Sequence, residues 1–572
     1  MQSALFLYYK NIFGNCVDSE YRDLVSIDPP KEQTFGDFST SISMALSKRL
    51  GRKSMDIAED ICAQLRDNDS FERLEVRKPG FINWFIPQHV LVKYFPQILD
   101  DNFGKIDIGE GRSVNIEYVS ANPTGPIHAG HVRGAVSGDV LARLLSYVGY
   151  RVTKEFYVND AGKQIEIMAC SLYHRYLELF GRSSGELPSW GYPGDYLIEI
   201  ARKIAEKHGD KFVDKEQSEW LNFFREFAVA CIMIDIKKDL ADLDVYHDVF
   251  SSELELLKNG AVDRVVNLLN DKGLIYNGIL QRPRGMDSEE WEKREQPLFK
   301  STAYGDDLDR PLQKSDGSWT YLASDLAYHR DKIERGFDEI IDFWGADHGG
   351  YIKRMQAGVS AISSGKKNLK VKIVQLVRLL KDGREIKMSK RSGNYITARD
   401  VIDKVGKDAI RFMMLTRRDD ASLDFDFTKV VEQSRDNPVF YVQYAYARTH
   451  SVIKLFKETF GCEKMPSLGE VDLNLLDMDS DMKLVKVLAD WPRQVVMAAK
   501  NYESHRIVFF LIDLASAFHF LWNQGKENSY LRFIMPNDLA KTKARMVLLK
   551  AVQRVIEFAF DIIGITPVEE LH

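Results

Sequence analysis

Residues 117 to 139 read Glu117-Tyr-Val-Ser-Ala-Asn-Pro-Thr-Gly-Pro-Ile-His-Ala-Gly-His-Val-Arg-Gly-Ala-Val-Ser-Gly-Asp139. Just before and into them, Val114, Ile116 and Tyr118 alternate with polar residues, the pattern of a half-buried strand. After them Val132, Ala135, Val136, Leu141, Leu144, Leu145 and Val148 recur at helical spacing, which predicts a helix starting between Ala129 and His131. Strand, Pro/Gly turn and helix amino end form the junction at which an open α/β sheet binds ligands, and the free N–H groups of a first helical turn suit phosphate. His128 and His131 stand three apart with Gly130 between them. Two imidazoles so placed can donate to a phosphate gaining negative charge, while Gly130 admits an adenine or ribose to the backbone.

Outward from this junction the chain divides into four parts. Residues 1–110 read as an independent α/β accessory module, with apolar helical positions from Met44 to Leu74 and an aromatic strand-like run Phe81, Ile82, Trp84 and Ile86; the Gly/Asp-rich joint from Asn102 to Gly111 closes it. Residues 111–400 read as a parallel-sheet core with an insertion. Arg151 to Val158 is a second strand, Asn159 to Gln164 a turn and helix start, and Ile340 to Phe343 and Val371 to Leu376 are strands that run into polar clusters. Trp190, Trp220, Phe223 and Phe224 of the helical stretch between them read as core residues. Residues 401–435 connect to a helical bundle at 436–572, with periodic segments near 428–458, 478–500, 504–524 and 539–565.

Composition narrows the class. At 572 residues, with 45% hydrophobic and 28% charged side chains, the chain is that of a multidomain soluble protein, and no apolar run approaches the roughly 18 residues of a membrane span. The first ten residues lack a basic region and cleavage site, so a cytoplasmic location is expected. The five cysteines are scattered without metal-ligand spacing, so neither structural zinc nor a disulfide framework is expected. A net charge of −6 argues against indiscriminate coating of nucleic acid and leaves a specific RNA partner open, because local patches set the binding field.

A second motif lies at Lys381-Asp-Gly-Arg-Glu-Ile-Lys-Met-Ser-Lys-Arg391, five cationic side chains within eleven positions, with Gly383 and Gly393 on either side of its core. Composition alone allows a solvated face. Glycine-hinged lysines after a strand also suit a polyphosphate, and Lys is a compact donor to a departing pyrophosphate. No Walker loop is present, which weakens γ-phosphoryl transfer.

His128-Ala-Gly-His131 resembles the histidine signature of class I aminoacyl-tRNA synthetases, and Lys387-Met-Ser-Lys390 resembles their second signature in full. Longer strings narrow the likeness: Glu117 to His128, Asn159-Asp-Ala-Gly162, Gly345-Ala-Asp-His348, Val405 to Phe412, Leu423-Asp-Phe-Asp426, Asn437 to Arg448 and Leu514 to His519 together look like the bacterial-type arginyl-tRNA synthetase family. The resemblance implies a Rossmann-like class I catalytic core, an N-terminal α/β domain that contacts the tRNA elbow, and an all-helical anticodon-binding domain. It implies ATP-dependent activation of L-arginine to an adenylate, with Mg²⁺ on the phosphates, then transfer to the terminal adenosine 2′-hydroxyl of tRNA(Arg) by a monomer. It also implies that activation needs bound tRNA; the flanking Gly383 and Gly393 suggest that tRNA binding orders the Lys387 to Lys390 loop and the arginine pocket.

The implied roles fall on particular residues. His128, His131, Lys387 and Lys390 are the catalytic set. Gly130, His131, Gly345, Asp347, His348, Lys387, Met388, Ser389 and Lys390 would hold ATP. Arginine would be held by Glu117, Asn122, His128, Tyr321 and Asp325, with Asn122 on the α-groups and Asp325 on the guanidinium, a planar fork of donors that calls for carboxylates. Some members place three residues after the Gly-Ala-Asp-His histidine a glutamine that helps hold the substrate; this chain has Tyr351 there, so that role is not carried over and arginine specificity rests mainly on Tyr321 and Asp325. No editing domain is expected, since a charged fork can be selected by buried polar groups alone.

For RNA, Tyr441, Tyr444 and Arg448 are the candidate contacts, with Phe440 and Tyr446 as further stacking surfaces; helical periodicity would bury Tyr441 and Tyr444. Lys541, Lys543, Arg545 and Lys550 are candidates for phosphate. The competing readings are another class I synthetase or adenylate-forming relative, and a non-catalytic RNA-binding protein built on the same scaffold.

Overall fold

The computed structural model describes residues 26–30, 32–66, 68–69, 71–182, 185–279, 294–314, 316–386 and 396–571. They cluster into two compact units. One comprises residues 1–103, 452–490 and 517–552; the other comprises 104–451, 491–516 and 553–572. In the first, the strands Phe38–Thr40, Phe81–Phe85 and Arg73–Arg77 pair antiparallel in that order. Ile42, Leu46, Ile57, Ile61 and Ile82 form a core with Cys62, whose thiol burial pushes up to about 11. The helix Gln88–Ile98 of this unit packs on the helix Asp479–Ala489.

The second unit carries a five-stranded, wholly parallel sheet. In chain order its elements are β1 (Ser113–Glu117), α1 (Ala129–Tyr147), β2 (Arg151–Val158), β3 (Val249–Ser252), α2 (Glu253–Lys258), α3 (Tyr321–Glu334), β4 (Glu339–Gly345) and β5 (Leu369–Val374). The strand order is β5-β4-β1-β2-β3. The chain leaves β1 toward β2 and β3 and later returns to its other side with β4, so the crossover direction reverses between β1 and β4, and the crevice beyond their carboxyl ends is the position at which such sheets bind ligands. β1 differs from the half-buried strand its alternation suggests: Val114, Asn115, Ile116 and Glu117 are all buried, because a central parallel strand is covered on both faces.

A smaller sheet follows, with β6 (Val377–Lys381) between β7 (Arg384–Glu385) and β8 (Leu423–Asp426); α4 (Ala398–Val405) lies between β7 and β8 in sequence. From there the chain is helical. The segment expected at 428–458 forms its long helix over Pro438–Phe460, where Asn437 accepts from Val439 N–H. The segment expected at 478–500 is two helices, Asp479–Ala489 and Trp491–Asn501, because Pro492 lacks an N–H and clashes with the preceding turn. Contrary to the reading of its apolar runs, the helix His505–Glu527 is long and apolar enough to cross a membrane by length and composition. Its Ile507, Val508, Leu511, Leu514, Phe518 and Leu521 are buried in protein, the mark of a core helix. Trp220 and Phe224 are core as expected, whereas Trp190 is exposed, in an irregular segment without a periodic apolar face.

Candidate active site

The turn after β1 is held tightly. Val119 and Ser120 adopt φ values of 69° and 37°, costly for residues with a Cβ. Ser120 Oγ donates to Glu117 Oε1 at 2.8 Å and accepts from Tyr157 N–H at 3.0 Å. Asn122 lies exposed on the turn, its amide donating to Gln164 Oε1 at 3.1 Å.

α1 begins at Ala129, with His128 as N-cap. His128 Nδ1 accepts from Gly130 N–H at 3.1 Å, and His131 Nδ1 accepts from His128 N–H at 3.2 Å. The two rings stack with centroids 3.8 Å apart. A ring nitrogen that accepts carries no proton, so these two contacts favour the Nε2–H tautomer of each neutral imidazole. Gly130 also fits the histidine pair itself: a Cβ there would lie 2.9 Å from the His128 ring. Farther along α1, a Cβ at Gly138 would lie 2.3 Å from Tyr118, so this glycine lets helix and strand pack closely.

Lys387, Met388, Ser389 and Lys390 lie outside the described residues, with Gly393. The chain on both sides of them is anchored. Ile386 N–H donates to Leu379 O at 2.9 Å. On the far side Ala129 N–H donates to Ile396 O at 3.1 Å and Ala398 N–H to Ile127 O at 2.8 Å, an antiparallel bridge that pairs Thr397 with His128. The segment leaving the second motif is therefore joined to the backbone of the first. Arg133 reinforces this: fully buried, it donates to Gln375 O at 3.1 Å, Ala421 O at 2.7 Å and Arg418 O at 2.7 Å, fastening α1 to the chain around β6 and β8.

At the end of β4, next to β1, Gly345 leads into a 3-10 turn, Ala346–Tyr351. Asp347 and His348 are exposed on it, 3.5 Å apart. A Cβ on Gly345 would meet Asp347 at 2.5 Å.

The opposite side of the crevice is acidic. Tyr321 and Asp325 lie one turn apart at the start of α3, as their spacing predicts. Tyr321 is 72% exposed, with the Lys314 ammonium 5.3 Å from its ring centroid. Asp325 is half-buried, and Tyr351 Oη donates to its Oδ2 at 2.7 Å. Beneath them runs a charge-balanced network. Lys332 Nζ reaches Glu117 Oε2 at 2.5 Å and Asp342 Oδ1 at 2.9 Å. His329 Nε2 contacts Asp342 Oδ2 at 2.9 Å and its Nδ1 contacts Asp325 O at 2.8 Å. Both His329 nitrogens face acceptors, so the ring is an imidazolium; burial opposes its charge, but Asp342 outweighs burial and holds its pKa above the ordinary value. Glu117 thus has one oxygen on Lys332 and the other on Ser120.

Above this network the balance fails. Burial, and then the charges of Asp325 and Asp160, push the carboxyl of Glu253 up to about 7. Burial raises Asp325 to about 6 despite the Tyr351 donor. Asp160 is spent on α2, accepting from Ser252 Oγ at 2.6 Å and Leu254 N–H at 2.9 Å, which fixes where Glu253 starts the helix. Among the described residues neither Asp325 nor Glu253 has an ion-pair partner. Sequence reasoning missed Glu253: Ser-Ser-Glu-Leu-Glu reads as a solvated helix start, and Asp160, which fixes it, follows β2, far away in sequence.

The RNA candidates lie on the helix Pro438–Phe460. Tyr441 and Tyr444 are half-buried rather than buried; Arg448 donates to Tyr444 Oη with its guanidinium 4.1 Å from that ring's centroid. Tyr446 is the buried member, donating to Glu557 at 2.9 Å. Arg545 is no phosphate ligand: its side chain is fully buried and paired with Asp481 at 3.1 Å. Lys541 pairs with Asp477 at 2.7 Å, and Lys550 is exposed.

Family models match along the chain: an arginyl tRNA synthetase N-terminal domain at residues 10–86, a class I (R) tRNA synthetase catalytic domain at 95–434, and a DALR anticodon-binding domain at 442–571. The chain is 49% identical over 550 residues to an arginine–tRNA ligase of Ruegeria pomeroyi, covering 96% of this chain and 94% of that protein, and 48% identical to one of Xanthobacter autotrophicus at the same coverage. The structure resembles the arginyl-tRNA synthetase of Thermus thermophilus with a TM-score of 0.71 over 96% of each chain, at 19% identity, a likeness of fold. Identity of this order over nearly the whole length of both chains, with the class I (R) catalytic model matched over 95–434, places the chain in the arginyl-tRNA synthetase family of class I tRNA synthetases.

Proposed function

We infer that the chain is an arginine–tRNA ligase. The arginine carboxylate attacks the α-phosphorus of ATP, supplied as its magnesium complex; the bond to the β-phosphate oxygen breaks and pyrophosphate leaves. The terminal adenosine 2′-hydroxyl of tRNA(Arg) then attacks the carbonyl carbon of the adenylate and AMP departs. In-line attack by a carboxylate needs positioning and charge stabilisation more than a strong base. The Nε2–H groups of His128 and His131 donate to the phosphate chain as its charge grows. Lys387 and Lys390, with Met388 and Ser389 between them, serve the pyrophosphate side. Gly130, Gly345, Asp347 and His348 border the nucleotide, and Asn122 orients the amino acid's α-groups. Tyr441, Tyr444 and Arg448 serve tRNA, and bound tRNA promotes activation.

The structural observation that supports arginine best is the pair of partly or fully buried carboxylates, Asp325 and Glu253, neither of which has an ion-pair partner among the described residues. A ligand guanidinium supplies the missing charge and up to five donors. Tyr321 flanks it, and Glu117, already held by Lys332, contributes through its field. Replacing Asp325→Asn tests this. Truncating a buried charge pair costs about 2–5 kcal/mol, so the KM for arginine in ATP–pyrophosphate exchange rises by at least about 30-fold. An unchanged arginine KM would overturn the assignment.

A further inference from the structure

We propose that Tyr351 is a positioning residue for arginine recognition: its hydroxyl holds Asp325 by Oδ2 and leaves Oδ1 for the substrate guanidinium. The inference rests on the reading of Asp325 given above and goes beyond it.

The geometry carries it. Tyr351 ends the 3-10 turn after β4, and its Oη donates to Asp325 Oδ2 at 2.7 Å, within the range of a charge-assisted bond. Among the described residues Asp325 Oδ1 has no such donor. The phenol ring is itself held: the Arg354 guanidinium lies 4.9 Å from its centroid and the Trp344 ring 6.0 Å away. A held ring fixes the hydroxyl, and the hydroxyl fixes one rotamer of a carboxylate at the first turn of α3. The same turn exposes His348 three residues earlier, so one short element borders both the nucleotide side and the amino-acid side of the crevice.

The electrostatic setting explains why a neutral donor is used. Asp325 is faced by Glu117 from β1, Asp342 from β4, Glu253 from α2 and the Tyr157 hydroxyl from β2; His329, on its own helix, is the cation close to it. A resident cation on Asp325 would compete with arginine for the same oxygens. A phenol stabilises the carboxylate while leaving the negative charge for the ligand, and burial together with Asp325 holds the phenol far above its usual pKa, so it stays a donor.

Tyr351→Phe removes the hydroxyl and keeps the ring. Loss of a hydrogen bond to a charged group predicts an arginine KM about ten-fold higher, with the KM for ATP unmoved. The acid limb of kcat/KM for arginine should move to higher pH, since the lost donor favoured the charged carboxylate. Asp325→Asn, measured alongside, separates the two claims. If it leaves the arginine KM unchanged, the guanidinium reading fails. If it raises that KM while Tyr351→Phe leaves both KM and acid limb in place, or raises the ATP KM equally, the positioning role of Tyr351 is overturned and the guanidinium reading stands.

Discussion

Asp325 and Glu253 show what a single residue can do only in company. Each is an ordinary carboxylate in sequence, and burial beside other acids raises them to about 6 and about 7. In the empty protein, ionising them costs free energy, so their contribution to stability falls as pH rises from the ordinary carboxylate range through those values. On the proposed reading arginine binds both in their charged forms, so its binding releases protons below about pH 7. Its affinity should weaken as pH falls from 8 to 5.5, and calorimetry in buffers of different ionisation enthalpy should show the proton release. An affinity flat across that range, with no buffer dependence, contradicts the acidic-pocket account. That His128 and His131 flank the start of α1 was legible from spacing, since a helix start is set by local chain geometry. Glu253 was not, because its neighbours Asp160 and Asp325 arrive from other strands and helices.

Elements are fastened by charges that composition assigns to the surface. The run Asp325-Leu-Ala-Tyr-His-Arg-Asp-Lys332 reads as a polar helix, yet His329 and Lys332 are buried and tie α3 to β1 and β4 through Glu117 and Asp342. Breaking one partner of such a network strands the others in low dielectric. Lys332→Met should therefore lower the opening free energy of the β1 and β4 amides in hydrogen exchange by about 3–5 kcal/mol; unaltered protection contradicts the role given to the network. Arg545 was misread for the same reason, because charged helix positions look solvated until the partner, here Asp481, is known. Backbone chemistry was easier to read: Arg151–Val158 has the bounds its pattern suggests, and Pro438 and Pro492 set helix starts by what proline cannot do.

At the scale of the molecule, the parallel sheet places the histidine turn after β1 beside the Gly-Ala-Asp-His turn after β4, and the chain leaving the lysine motif is bonded to the histidine turn. That order of motifs was visible in sequence; their convergence is a property of strand order, which alternation and periodicity do not encode. The grouping of residues 452–490 and 517–552 with the N-terminal 103 residues likewise follows from packing alone. The central claim joins these levels: one crevice activates arginine with ATP for transfer to tRNA. ATP–pyrophosphate exchange against each amino acid, with and without deacylated total tRNA, tests it most directly. The account predicts exchange with arginine, promoted by tRNA. Exchange with another amino acid, or none from a folded sample given arginine and tRNA, would contradict it.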